Sequence, residues 1–387
     1  MIAIVVDHTK IYYAGANDFD YYLYVYDALT VFFFLSGYLF YQENGIFDLR
    51  HKLSSILRRL VIPYFLFTAV LALPKTIGHG QNLSTDIFWE ILLGQASWFV
   101  AALISASLLF SLFLLISKQR IIPLAFLAVV CYTGSIFFPD TFANPWHIKE
   151  ALMFLPYILI GFCFHRYEQL FRTYFWLIPL TFILYITGKC LYMTDVVTDS
   201  EQVFQLYLII ETISCVLFFA LAASHIRSCY SIEWIGRKSI FFYFLCGGVP
   251  FVVTSVMNRV GVGYDGNILH LLLCIAITMI VISLATFIID RWAGNNIFIY
   301  LTVSATALFF QVATLKNRVP RIDEVIFKDS SVNLILAFVL GILLQVILKK
   351  AGVRMNKWQT LLFSILFWFT FNLCWLFRYG LQSYWNG

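Results

Sequence analysis

Charge is what this sequence has least of. Only 12% of its 387 residues are Asp, Glu, Lys or Arg, against 61% hydrophobic, with a mean hydropathy of +0.83. No water-soluble core of this size needs such an excess, so the composition excludes a soluble globular protein and indicates an integral membrane chain. Paired cysteines are also missing. The eight cysteines are scattered with no C-x-x-C pair, and Cys163, Cys215, Cys274 and Cys374 fall inside apolar runs, where a thiol behaves as a small core group. Neither a metal site nor a disulfide framework is expected. The sequence has no G-x-S-x-G elbow to activate a serine nucleophile. No repeat or low-complexity segment stands out, and no cleavable signal peptide is expected. The net charge of +5 resides in short loops between apolar spans, so it reports topology, and nucleic-acid binding is not expected.

What is there is a succession of apolar segments. They lie near residues 1–13, 23–42, 60–74, 97–117, 121–138, 151–165, 174–188, 203–224, 239–257, 268–289, 296–315, 332–348 and 358–377, and most are long enough to cross a bilayer with some tilt. The expected fold is all-α, a polytopic transmembrane helical bundle of about 10 spans over residues 1–290 with about 3 additional spans over 291–387. Cytoplasmic loops should hold the Lys and Arg excess. Through the first ten spans, assigning alternate loops to opposite sides gives 11 basic residues against 5, which puts the N-terminus and the loop at 43–59 inside. Lys10 and Lys189 count among the outer five. The outer connections at 75–96 and 139–150 contain His79, Trp89, Trp146, His147 and Glu150. Such groups suit an interfacial belt or the holding of sugar rings, and Ile87 to Leu93 reads as a stretch lying along the interface.

A few ionisable residues fall at membrane depth, where burial is expensive and such groups face a protein interior or a wet cavity. His8 follows the run Ile2 to Asp7. An imidazole there can take a proton from a hydroxyl, or serve as a satisfied interior residue. Asp7 is adjacent, but consecutive helical residues do not face one another. Asp27 stands at the entrance of an aromatic helix, and Glu211 lies within Leu208 to Thr212. Asp27 can make a polar contact within a cavity or sit in interfacial water, and Glu211 can bind a substrate hydroxyl, pair with an arginine, or serve a protonated or paired structural role. Arg58 and Arg59 end a basic hairpin, where they can hold phosphates or anchor to lipid headgroups. Ser36-Gly37 lies mid-helix and reads as a packing site.

The stretch from Thr30 to Tyr64 joins Phe33, Ser36, Gly37 and Tyr38 to Arg59-Leu60 and Pro63-Tyr64. With Val5-Val6-Asp7-His8, Ser97-Trp98-Phe99 and Leu103, Pro145-Trp146 followed by Ala151-Leu152, Pro156 and Gly161, and Trp234-Ile235-Gly236 with Ser239 and Tyr243, it resembles the acyltransferase-3 family of membrane acyltransferases. The resemblance covers roughly residues 1–290 and rests on the shared order of these motifs. It implies transfer of an acetyl or other short acyl group from acyl-CoA, acetyl-CoA being the simplest, to a hydroxyl of a cell-surface polysaccharide or glycolipid. On this reading the chain is a multi-pass protein of the plasma (inner) membrane. His8 is then the catalytic base, Asp27 and Glu211 are further catalytic candidates, and Arg58 and Arg59 bind the acyl-CoA. Members usually carry an arginine or lysine further ahead of this histidine than the seven residues that precede His8, so the resemblance implies either a start upstream of Met1 or a protein that does without that group. Cys246 stands where many relatives have a second histidine. A transporter or flippase for a lipid-linked glycan, or an inactive homologue, stays open as the alternative.

Overall fold

The computed structural model describes residues 1–15, 21–42, 47–65, 67–68, 85–139, 144–194, 201–226 and 229–292. Every regular element among them is helical. The expected spans at 296–315, 332–348 and 358–377 lie outside the described residues. The helices are α1 (Ile2–Ala14), α2 (Tyr21–Tyr38), α3 (Leu49–Ile56), α4 (Thr85–Leu92), α5 (Trp98–Ser117), α6 (Ile121–Ile136), α7 (Ile148–Arg166), α8 (Glu168–Thr173), α9 (Leu177–Met193), α10 (Glu201–His225), α11 (Tyr230–Arg237), α12 (Ser239–Leu245), α13 (Val249–Arg259) and α14 (Ile268–Trp292). Among the described residues, four helical stretches are long and apolar enough to cross a membrane: Trp98–Ser117, Pro145–Arg166, Tyr207–His225 and Ile268–Phe287. A fifth results if α12 and α13, bent by 48° at their junction, form one span. In hydrocarbon the backbone must satisfy its own polar groups, and apolar sequence of this length does so by closing into helix.

The chain divides into two compact units, Met1–Leu53 with Phe99–Ser283, and Ser54–Trp98 with Leu284–Gly387. In the first unit α2 packs along α7, α7 against α6, α9 against α10, and α1 against α2 and α13. The α2–α7 pair touches backbone to backbone. A Cβ on Gly37 would fall on the Ile158 carbonyl, and one on Gly161 on the Phe34 carbonyl, so each glycine admits the facing helix as small residues do in membrane bundles. Phe33 and Phe154 stack above this crossing with centroids 4.3 Å apart. The two helices run in the same direction: Tyr26 meets Phe154 near their starts, and the Tyr38 carbonyl lies 2.7 Å from Nδ1 of His165 at their ends.

Large apolar side chains cover the outside. Ile122, Phe126 and Val129 on α6 are 84, 67 and 62% exposed, while Leu124 and Ala128 on its other side are buried. A water-soluble protein would not carry such a stripe, and a lipid-facing helix does.

In the second unit α3 continues through a π-helical turn, Leu57–Val61, that holds Arg58 and Arg59. The basic hairpin expected from the sequence is therefore largely helix. Tyr64 is fully buried there, its hydroxyl donating to the Ile91 carbonyl at 3.0 Å. The stretch read as interfacial falls on α4, whose Trp89 is exposed.

Candidate functional site

His8 stands midway along α1, which is closed at its C-terminus by Gly15 in the left-handed conformation that glycine adopts without penalty. Its ring is half-buried. The helical spacing puts His8 on one stripe with Val5 and Tyr12; Val5 is fully buried, and the Tyr12 ring meets Phe251 of α13 at 5.9 Å. Asp7 points elsewhere. Its carboxylate accepts from the Tyr24 hydroxyl at 2.7 Å and lies 4.0 Å from the Lys10 ammonium, so Asp7 serves the α1–α2 contact, in keeping with the divergence of consecutive helical side chains.

Asp27 and Glu211 are brought together, and the group that joins them is Lys189. Its Nζ lies 2.7 Å from Asp27 and 2.9 Å from Glu211, and donates to the Tyr22 carbonyl at 2.7 Å. All three side chains are buried. The cluster spans α2, α9 and α10, and Gly188 leaves the space that Glu211 fills, since a Cβ there would stand 2.6 Å from its Cγ. No described contact links His8 to Asp27 or Glu211.

Lys10 and Lys189, counted with the outer basic residues, are each buried within a helix beside a carboxylate. The available signal was charge balance. Asp27 and Glu211 in apolar sequence demand a cation, and Lys189 directly follows the segment 174–188. The pairing partner weighed for Glu211 was an arginine; it is this lysine.

Arg58 and Arg59 are exposed on consecutive positions of their π-helical turn. Such turns interrupt the regular hydrogen-bond ladder and concentrate at functional sites. Both arginines belong to the second unit. Cys246 is buried at the α12–α13 junction and its thiol donates to the Tyr243 carbonyl at 2.8 Å.

Before α7 the backbone takes a strained turn. Trp146 and His147 have φ of 54° and 49°, a region that costs a side-chain-bearing residue about 1–3 kcal/mol. Polar contacts hold it there: Ser105 donates to the Trp146 carbonyl at 2.8 Å, and Glu150 accepts from Asn144 at 2.7 Å and lies 3.3 Å from His147.

A family model described as an acyltransferase domain matches residues 1–288. No curated protein and no solved structure matches the chain.

Proposed function

The chain belongs to the acyltransferase-3 family, and we propose that it moves an acetyl or other short acyl group from acyl-CoA to a hydroxyl of a cell-surface polysaccharide or glycolipid. The family match over residues 1–288 carries this reading, because it includes the half-buried His8 and the helices α2, α12 and α13 that pack on α1. His8 accepts the acceptor's hydroxyl proton as that oxygen attacks the thioester carbonyl. The tetrahedral adduct then expels the coenzyme A thiolate, which recovers the proton from the imidazolium. General-base assistance of this kind contributes roughly 10²–10⁴-fold to the rate.

Asp27 and Glu211 take a supporting part. Tied to Lys189, they hold α9 and α10 against α2 rather than act on the proton in flight. The exposed Arg58 and Arg59 supply guanidinium groups suited to the donor's phosphates. The strained turn at Trp146 to Glu150 offers the ring face and polar groups that a sugar acceptor needs. Family membership favours transfer over passage of a glycan, and the chain's membrane is taken as the plasma (inner) membrane.

The test uses membranes, radiolabelled acetyl-CoA and a surface-glycan fraction. Label is expected on carbohydrate and is expected to fall at least 100-fold with His8→Ala at equal expression. Glycan transport without label would replace this reading by the transporter, and absence of both would leave an inactive homologue. Unchanged turnover in Glu211→Gln supports the supporting role given to that carboxyl; loss of turnover with normal expression would make it catalytic.

A further inference from the structure

An open cleft of about 780 Å³ lies where α2 ends and α7 turns into α8, lined by Tyr41, His165, Arg166, Tyr167, Glu168 and Arg172 among others. Its size falls within the range of small-molecule and cofactor sites. It belongs wholly to the first unit, and neither His8 nor the Lys189 cluster lines it.

The lining is organised from below. The His165 ring stacks on Tyr38 at 4.0 Å and meets Tyr41 edge-on at 5.2 Å, and its Nδ1 lies 2.7 Å from the Tyr38 carbonyl. Glu168 accepts from the Tyr38 hydroxyl at 2.6 Å and pairs with Arg172 at 2.6 Å. Arg172 is thereby fixed in direction while half its side chain stays exposed. Arg166 is exposed; it donates to the neutral Gln119 carbonyl at 3.3 Å and stands 5.9 Å over the Tyr167 ring. Two guanidinium groups against one carboxylate leave the cleft net positive. An exposed tyrosine ring beside them offers a flat apolar face.

From this pairing we infer that the cleft binds the phosphorylated adenosine end of the acyl donor: Arg166 and Arg172 take phosphate oxygens, and Tyr167 or Tyr41 stacks on the base. The inference rests on the acyl-CoA reading above and adds Arg166 and Arg172 to the residues named there. The other source of the same phosphate chemistry is an anionic lipid headgroup, which has no base to stack.

The test is direct binding of coenzyme A, which cannot turn over, to the full-length protein in nanodiscs of phosphatidylcholine, read by calorimetry. The Arg166→Gln/Arg172→Gln variant is expected to bind at least ten-fold more weakly at an unchanged melting temperature. The wild type is expected to bind dephospho-coenzyme A more weakly than coenzyme A. Wild-type affinity in the double arginine variant overturns the cleft assignment and leaves the donor reading standing. No coenzyme A binding by the wild type overturns both. Retention of phosphatidylglycerol, seen by native mass spectrometry and lost in the arginine variant, without any coenzyme A binding, would make the cleft a lipid site and end the nucleotide proposal. If the double variant melts earlier, Tyr41→Ala/Tyr167→Ala decides: it removes both stacking faces and leaves both charges in place, so coenzyme A is expected to bind at least ten-fold more weakly, and wild-type affinity there overturns the cleft assignment.

Discussion

Lys189 holds three helices with one ammonium group, through Asp27 on α2, Glu211 on α10 and the Tyr22 carbonyl. Removing one partner from a buried ion set leaves charge that neither water nor lipid can compensate, at about 3–5 kcal/mol. Lys189→Met is therefore expected to destabilise strongly, seen as a large fall in the melting temperature of the detergent-solubilised protein. Glu211→Gln still leaves one carboxylate for the lysine, and should cost no more than about 1.5–3 kcal/mol, the worth of one hydrogen bond to a charged group. Equal melting temperatures for Lys189→Met and wild type would refute the clamp. Both carboxylates were legible in the sequence as ionisable groups in apolar surroundings. Their cation was not, because Lys189 sits at the edge of its apolar segment, and an edge lysine reads as a loop residue until the packing of three helices turns it inward.

At the scale of elements, glycine separates two kinds of helix face. Gly37 and Gly161 sit where α2 and α7 touch, and an added Cβ meets backbone that cannot rotate away. Gly134 on α6 has nothing within 4 Å of that position. Gly37→Ala and Gly161→Ala are expected to lose about 1–3 kcal/mol to overpacking. Gly134→Ala should gain about 0.5–1 kcal/mol from the lower backbone freedom of alanine. Opposite shifts of melting temperature for the same substitution would verify the crossing; a common sign would contradict it. The apolar segments gave the places of most described helices, and Ser36-Gly37 was readable as a packing site. Two features were not. The run Leu49 to Val61 carries polar and basic residues as a loop would, yet continues as helix. The turn at Trp146 and His147 uses positive φ without glycine, so no local residue choice announces it.

For the molecule as a whole, contacts within the first unit bear on which ends share a side of the membrane. The Tyr13 hydroxyl donates to the Val262 carbonyl at 2.9 Å, which brings the end of α1 to the connection after α13. Lys189, near the end of α9, reaches the start of α2. The ends of α2 and α7 meet through Tyr38 and His165. These pairings match the alternation drawn from charge, and that charge pattern sharpens once buried lysines are set aside. Without Lys10 and Lys189 the outer five shrink to Lys75, Lys149 and Arg259, so the contrast through ten spans becomes 11 against 3. Basic residues favour the cytoplasmic side, so the Arg166 cleft is expected inside and the exposed Asp265 turn outside. A donor from the cytoplasm and an acceptor at the cell surface would then approach from opposite faces. In a background with the native cysteines replaced by serine, Asp265→Cys is expected to react with a membrane-impermeant maleimide on intact cells. Gln169→Cys, beside the cleft, should react only after permeabilisation. Labelling of both positions from outside would place the cleft beyond the reach of a cytoplasmic donor and remove the premise on which its assignment stands.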